Sequence, residues 1–253
     1  MNNLRFALRQ LRKSPGFTFI AVLTLALGIG ANTAIFTIVH AVFLQPLPYL
    51  GANRVVAIWE TNAQRPGRSN VVAPANFLRW QERATSFAGL AALAETRANL
   101  TGGENPEEVV AQNVTAQFFS VLGIQPLLGR LFTAEENADS KSTVVILSQQ
   151  LWERRFGSDP GIIGREIHLN GKPQTVIGVM PAEARLLLKT GSLVGQPTDL
   201  WSTYGLTTAD RQPHGRYLSV IGRLKPGVSL ETARAEMKAI SASLVAELPN
   251  FDT

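Results

Sequence analysis

Hydrophobic positions fall into two regimes along the chain. Phe17 to Leu44 is overwhelmingly apolar, and no Asp, Glu, Lys or Arg occurs between Lys13 and Arg54. Beyond Arg54 the pattern breaks into short apolar runs of strand or helix period, separated by Gly, Pro and polar residues. At about 1.5 Å per residue, the 28 residues of the first regime exceed the roughly 20 that cross a bilayer core. Tilt, or a turn or two beyond the lipid, takes up the excess. A transmembrane helix is therefore predicted over 17–44.

In the second regime, Arg54–Glu60 reads as a strand and Pro74–Ala84 as a helix, with Phe77, Trp80 and Gln81 one turn apart. Residues 87–95 and 107–114 read as strands around the turn-rich segment Thr101–Pro106, and Ala116–Leu122 as a short helix ending at Gly123. From Gln125 the texture changes to shorter elements. Thr143–Leu147 is a strand, and Ser148 is the predicted N-cap of a helix to Phe156. Arg165–Leu169 and Pro173–Val179 form the clearest hairpin, because Asn170-Gly171 suits a type I′ turn. Residues 182–212 read as loops around a short strand near Leu200. Arg216–Leu224 is a strand, Lys225-Pro226-Gly227 a turn and Ser229–Leu248 a helix. In that helix Leu230, Ala233, Met237, Ile240, Leu244 and Leu248 form one apolar stripe. The stripe calls for a partner sheet, yet the chain stops five residues after Leu248, where a returning strand is expected. The expectation is a fragment of a longer protein.

Charge changes the picture in one place. The formal net charge is +5, but Arg5, Arg9, Arg12 and Lys13 precede the apolar stretch with no acid among them. The remaining chain carries 20 Lys+Arg against 19 Asp+Glu. The basic excess is thus a topology signal that keeps the N-terminus in the cytoplasm and sends residues from about 45 onward outside. It is not a basic binding face, and no nucleic-acid partner is expected. Leu4, Leu8 and Leu11 share a face, so residues 1–16 are predicted as a cytoplasmic amphipathic segment on the membrane surface, ended near Ser14-Pro15-Gly16.

Ala31 and Ala34 resemble a signal cleavage site, but apolar character continues through Leu44, longer than a signal h-region. An uncleaved anchor fits better. Ala26, Gly30 and Ala34 recur every four residues on one helix face, where small side chains let a second backbone approach. Asn32, Thr33 and Thr37 add polar groups that favour a protein neighbour over lipid. The competing account is that Ala and Gly are simply common in membrane helices.

Catalytic chemistry finds little foothold. There is no Cys, and His40, His168 and His214 stand in no metal-ligand spacing. The sequence contains neither a GxSxG elbow nor a GxxxxGK[ST] phosphate loop. Gly28-Ile29-Gly30 lies within the span and lacks a third glycine. Glu107-Glu108, Glu135-Glu136 and Arg154-Arg155 read as surface charge, and Trp59, Trp80, Trp152 and Trp201 as core or interface residues. No catalytic residue, cofactor or metal site is expected.

Two long motifs carry a resemblance. The opening LRFALRQLRKSPGFTFIAVLTLALGIGANTAIFTIVHAVFLQPLPY resembles the start of MacB-like ABC transporter permeases, most closely the large duplicated permeases of acidobacteria. GRLFTAEE, VVILSQQLWERRFGSDPGIIGREIHLNGKPQTVIGVMP and RYLSVIGRLKPGVSLETARAEM resemble the periplasmic core domain of the same group. The resemblance covers essentially the entire chain. It implies an α+β chain: one N-terminal transmembrane helix, then a mixed α/β periplasmic domain of two subdomains. Residues 49–123 and 213–253 would form a subdomain of strand–helix units, and 124–212 an inserted β-rich subdomain. It further implies an inner (plasma) membrane protein, single-pass in this chain, that couples ATP-driven helix motion to export or periplasmic mechanotransmission. The implied partners are a cytoplasmic ABC ATPase subunit, the remaining permease helices or a second permease copy, a periplasmic partner or cargo, and the lipid membrane. The chain departs from the family pattern in having one span where four are expected. A stand-alone membrane-anchored binding or sensor module is the alternative, and the reading frame beyond Thr253 discriminates the two.

Overall fold

The computed structural model describes residues 13, 15–39, 51–61, 69–102, 105–138, 143–184, 197–212 and 215–247. It divides into a unit of residues 1–47 and a unit of residues 48–253.

In the first unit, helix α1 (Pro15–Val39) runs 25 residues. Pro15 stands at its first position, where the missing N–H costs no intrahelical bond. The segment Pro15–Thr37 is long and apolar enough to cross a membrane, with mean hydropathy 2.0 and none of it buried. The amphipathic segment expected over residues 2–13, apart from Lys13, and residues 40–44 of the expected span lie outside the described residues.

The second unit is built on a mixed sheet. Its strands are β1 (Val55–Ile58), β2 (Glu60–Thr61), β3 (Ser69–Asn70), β4 (Phe87–Thr101), β5 (Glu107–Val114), β6 (Leu128–Gly129), β7 (Val144–Ser148), β8 (Glu166–Leu169), β9 (Lys172–Met180), β10 (Leu200–Thr203) and β11 (Ser219–Leu224). Its helices are α2 (Pro74–Arg83), α3 (Phe118–Leu122), α4 (Ala134–Ala138), α5 (Gln149–Phe156) and α6 (Leu230–Glu247). The main path runs β1-β11-β4-β5-β10-β7-β9-β6, while β8 pairs both β4 and β9 and the short β2–β3 ladder stands apart. Pairing of β4 with β5, β5 with β10, β10 with β7, β7 with β9, β9 with β8 and β8 with β4 closes a ring of six strands.

Strand β4 joins the two halves of this sheet. Its first half pairs β11 from Phe87 to Leu93, and its second half pairs β5 from Leu93 to Leu100. Leu90 and Ala92 face a core with Phe77, Trp80, Val220, Ala233, Ile240 and Leu244, under α2 and α6. Ala91 and Leu93 face the opposite core, where Phe119, Trp201, Ile146 and Met180 gather. The ring has its own interior of Ala98, Leu100, Val109, Ala111, Leu147, Val176 and Leu200.

The expected elements recur with shifted ends. The 87–95 strand extends to Thr101, although Glu95, Thr96, Arg97 and Asn99 give it no apolar run; pairing with β5 carries it. Ser148 caps α5, its Oγ accepting from Leu151 N at 3.1 Å. The hairpin closes through Asn170 and Gly171 at φ 52° and 75°, the left-handed pair a type I′ turn requires. In α6 the stripe is corrected at its start. Ala233, Ile240 and Leu244 are buried, but Leu230, the first residue of the helix, is 50% exposed; Leu248 lies outside the described residues.

Candidate functional site

The sequence places the candidate site on α1. Ala26, Gly30 and Ala34 lie along one helix face, all exposed, and a Cβ added at Gly30 would meet nothing within 4 Å. The larger apolar side chains of Leu23 and Leu27, near the same face, are 50% and 66% exposed. The hydroxyls reasoned to favour a protein neighbour are already satisfied. Thr33 Oγ1 donates to Ile29 O at 2.8 Å and Thr37 Oγ1 to Thr33 O at 2.7 Å. Such back-bonding is an ordinary way for a threonine to sit in a membrane helix, so these residues add no demand for a partner. Of the basic cluster, Lys13 is exposed, while Arg5, Arg9 and Arg12 lie outside the described residues.

In the second unit the charged residues prove to be structural anchors. Glu60 is 6% exposed. It accepts from Ala73 N at 2.9 Å, Asn76 Nδ2 at 2.7 Å and Arg216 Nε at 2.6 Å. One carboxylate thus ties β2 to the start of α2 and to the segment entering β11. Sequence reasoning saw in Glu60 only the end of a strand. The adjacent acids are not merely solvated. Glu107 pairs with Arg154 at 2.6 Å and Glu108 with Arg97. Glu136 accepts from Arg130 at 2.7 Å and caps α4 through Thr133 N at 2.9 Å; the Thr-x-x-Glu spacing was the readable signal. Arg154 also reaches Asp199 at 3.1 Å, and Arg155 donates to Asn105 O at 2.6 Å. The Arg154-Arg155 pair therefore fixes the β4–β5 loop and the start of β5 to α5.

Glu236 joins α6 to the start of β4, accepting from Thr85 N at 2.7 Å, Thr85 Oγ1 at 2.5 Å and Ser86 N at 2.9 Å. Partial burial opposes its charge, but these hydrogen bonds prevail and hold its carboxyl at about 2. Trp80 and Trp201 are buried, and Trp201 Nε1 donates to Gln112 Oε1 at 2.9 Å. Trp152 Nε1 donates to Asp159 O at 2.9 Å, clipping α5 to the turn that follows. His168 has its side chain 44% exposed, 3.7 Å from Glu166, and His40 and His214 lie outside the described residues. Among the described residues no group of three His, Cys, Asp or Glu could hold a metal ion.

The fold is similar to that of solved proteins. The periplasmic region of MacB from Actinobacillus actinomycetemcomitans superposes with a TM-score of 0.56 at 18% identity, covering 79% of this chain and 86% of that one. The extracellular domain of the noncanonic ABC-type transporter YknZ from Gram-positive bacteria superposes with a TM-score of 0.52 at 15% identity, covering 76% of this chain and 94% of that one. Both likenesses are of fold. In sequence, the chain is 30% identical over 172 residues to a protein of Pseudomonas syringae pv. tomato described as a probable syringafactin export ATP-binding/permease protein. That match covers 67% of this chain and 24% of the relative, so the chain spans about a quarter of the relative's length. The family described as MacB-like periplasmic core domain matches residues 18–240, from within α1 to within α6. An apolar helix followed by a ring-bearing mixed sheet, matched over that whole length, places the chain in the MacB-like periplasmic core domain family.

Proposed function

We propose that this chain is a non-catalytic component of an ABC transporter permease. Its exported domain couples ATP-driven motion of membrane helices to export or to mechanotransmission in the periplasm. The observation that carries this reading is the family match from residue 18 to residue 240, which takes in most of α1 together with the sheet. In this reading ATP is hydrolysed by a cytoplasmic partner subunit, and the sequence given contains no GxxxxGK[ST] motif. The basic residues Arg5, Arg9, Arg12 and Lys13 hold the N-terminus in the cytoplasm of an inner-membrane protein. The remaining permease helices or a second permease copy complete the membrane part, and the exported domain meets cargo or a periplasmic partner. Residues 49–123 and 213–253 act as the strand–helix subdomain closest in sequence to the membrane span, and 124–212 as the inserted β-rich one.

For motion to reach the domain, α1 must pack on other membrane helices, and Ala26, Gly30 and Ala34 offer the face for it. Replacing Gly30 with Leu is expected to reduce recovery of the ATPase subunit and other permease helices several-fold when the chain is affinity-purified from membranes. Leu25→Phe, on the far face, is expected to leave recovery unchanged. Equal recovery with Gly30→Leu and the parent overturns the role of this face.

A further inference from the structure

The six-stranded ring has a gap in its wall. One edge of β4 pairs β5 continuously from Leu93 to Leu100. On the other edge β11 stops at Leu93 and β8 begins at Leu100. The direction of the backbone groups in between follows from their neighbours. Ala92 N and O bond to Thr115, on the β5 side, while Asn99 N and O bond to Asn170, on the opposite side. Alternate residues of a strand direct their polar groups to the same edge. Glu95 and Arg97 therefore present N–H and C=O at the open edge. Among the described residues no strand pairs with them there, and Arg97 O has only a 3.5 Å contact from Thr96 Oγ1.

Arg97, on this open edge, also lines a cavity of about 450 Å³ together with Asn113, Gln174, Ser202 and Lys172. That volume falls in the roughly 300–1,000 Å³ range of pockets that hold ligands. Asn113 and Ser202 stand opposite one another on β5 and β10, and Gln174 stands opposite the inward-facing Ile167. None of these three side chains has a hydrogen-bond partner among the described residues. The charged residues in its lining are Arg97 and Lys172. Arg97 is paired with Glu108, which leaves Lys172 as the lining cation without an ion pair among the described residues.

We propose that this gap binds a short extended peptide segment bearing a carboxylate, added to β4 as a strand. Its backbone would pair with Glu95 and Arg97, its inward side chains would meet Asn113, Gln174 and Ser202, and its carboxylate would lie beside Lys172. An unpaired strand edge supplies the affinity in such strand addition, and the pockets beside it supply selectivity. The inference goes beyond the permease reading and holds or fails independently of it, because it concerns binding to the chain itself.

The test is a fluorescence-anisotropy titration of the full chain in detergent micelles with a fluorescein-labelled hexapeptide of alternating valine and threonine ending in two glutamates. Saturable binding is expected, and it is expected to vanish for the same peptide N-methylated along its backbone, which cannot donate to the edge. Lys172→Glu is expected to weaken binding by about tenfold or more, whereas Lys238→Glu on α6, outside the cavity lining, is expected to leave it unchanged. Circular dichroism verifies that both variants fold. Absence of saturable binding, equal binding of the N-methylated peptide, or unchanged binding with Lys172→Glu overturns the proposal.

Discussion

Glu236 and Glu60 both hold the second unit together, and they do so by different physics. Glu236 is half-buried and draws its stabilisation from three short hydrogen bonds that need the ionised form. Its pKa is lowered from 4.5 to about 2, so the contribution is complete above pH 4.5 and is lost as pH falls toward 2. Solvent screening keeps the net effect to about 1 kcal/mol. Glu236→Gln is expected to be less stable than the parent at pH 7, and the difference is expected to close between pH 4.5 and 2; urea denaturation across that range measures it. Glu60 is buried and paired with Arg216, so its cost of desolvation is offset by partners at the start of α2 and in the segment before β11. Neither role was legible in the sequence. The partners of Glu60 lie 13, 16 and 156 residues away and those of Glu236 about 150, beyond the reach of any local pattern.

Among the elements, those with local causes matched their expected places. The β8–β9 hairpin follows from Asn170-Gly171, and α5 begins where Ser148 can cap it. The second half of β4 did not, because its polar residues form a strand only against β5. Close approach of β6 to β9 is likewise invisible to periodicity. A Cβ at Gly129 would lie 2.1 Å from Ile177 O, and the residue sits at φ +73°, so both space and backbone exclude a side chain. Gly129→Ala is expected to part β6 from β9 and to cost about 2 kcal/mol or more, read as a lowered thermal midpoint and faster exchange of the Leu127 and Arg130 amides, which donate to Val179 O and Ile177 O.

For the whole molecule, the proposed orientation rests on the distribution of charge. Lys+Arg and Asp+Glu are nearly balanced after Lys13, so the N-terminal cluster is the signal that the proposal depends on. Replacing Arg5, Arg9, Arg12 and Lys13 with Glu is expected to leave a large fraction of chains with the second unit facing the cytoplasm. Protease accessibility of that unit in spheroplasts checks the outcome, and unchanged protection would remove these residues from the topology argument. The span, its charged flank, the hairpin and the caps depend on composition or on neighbours within a few residues, so the sequence by itself determined them. The resemblance carried by its long motifs likewise reached the family from sequence. Closure of the strand ring, its gap beside Glu95 and Arg97, the burial of Glu60 and the pairing of Arg154 were decided only by tertiary structure. Each depends on which distant strand or side chain arrives alongside, a long-range choice that local propensity and periodicity do not encode.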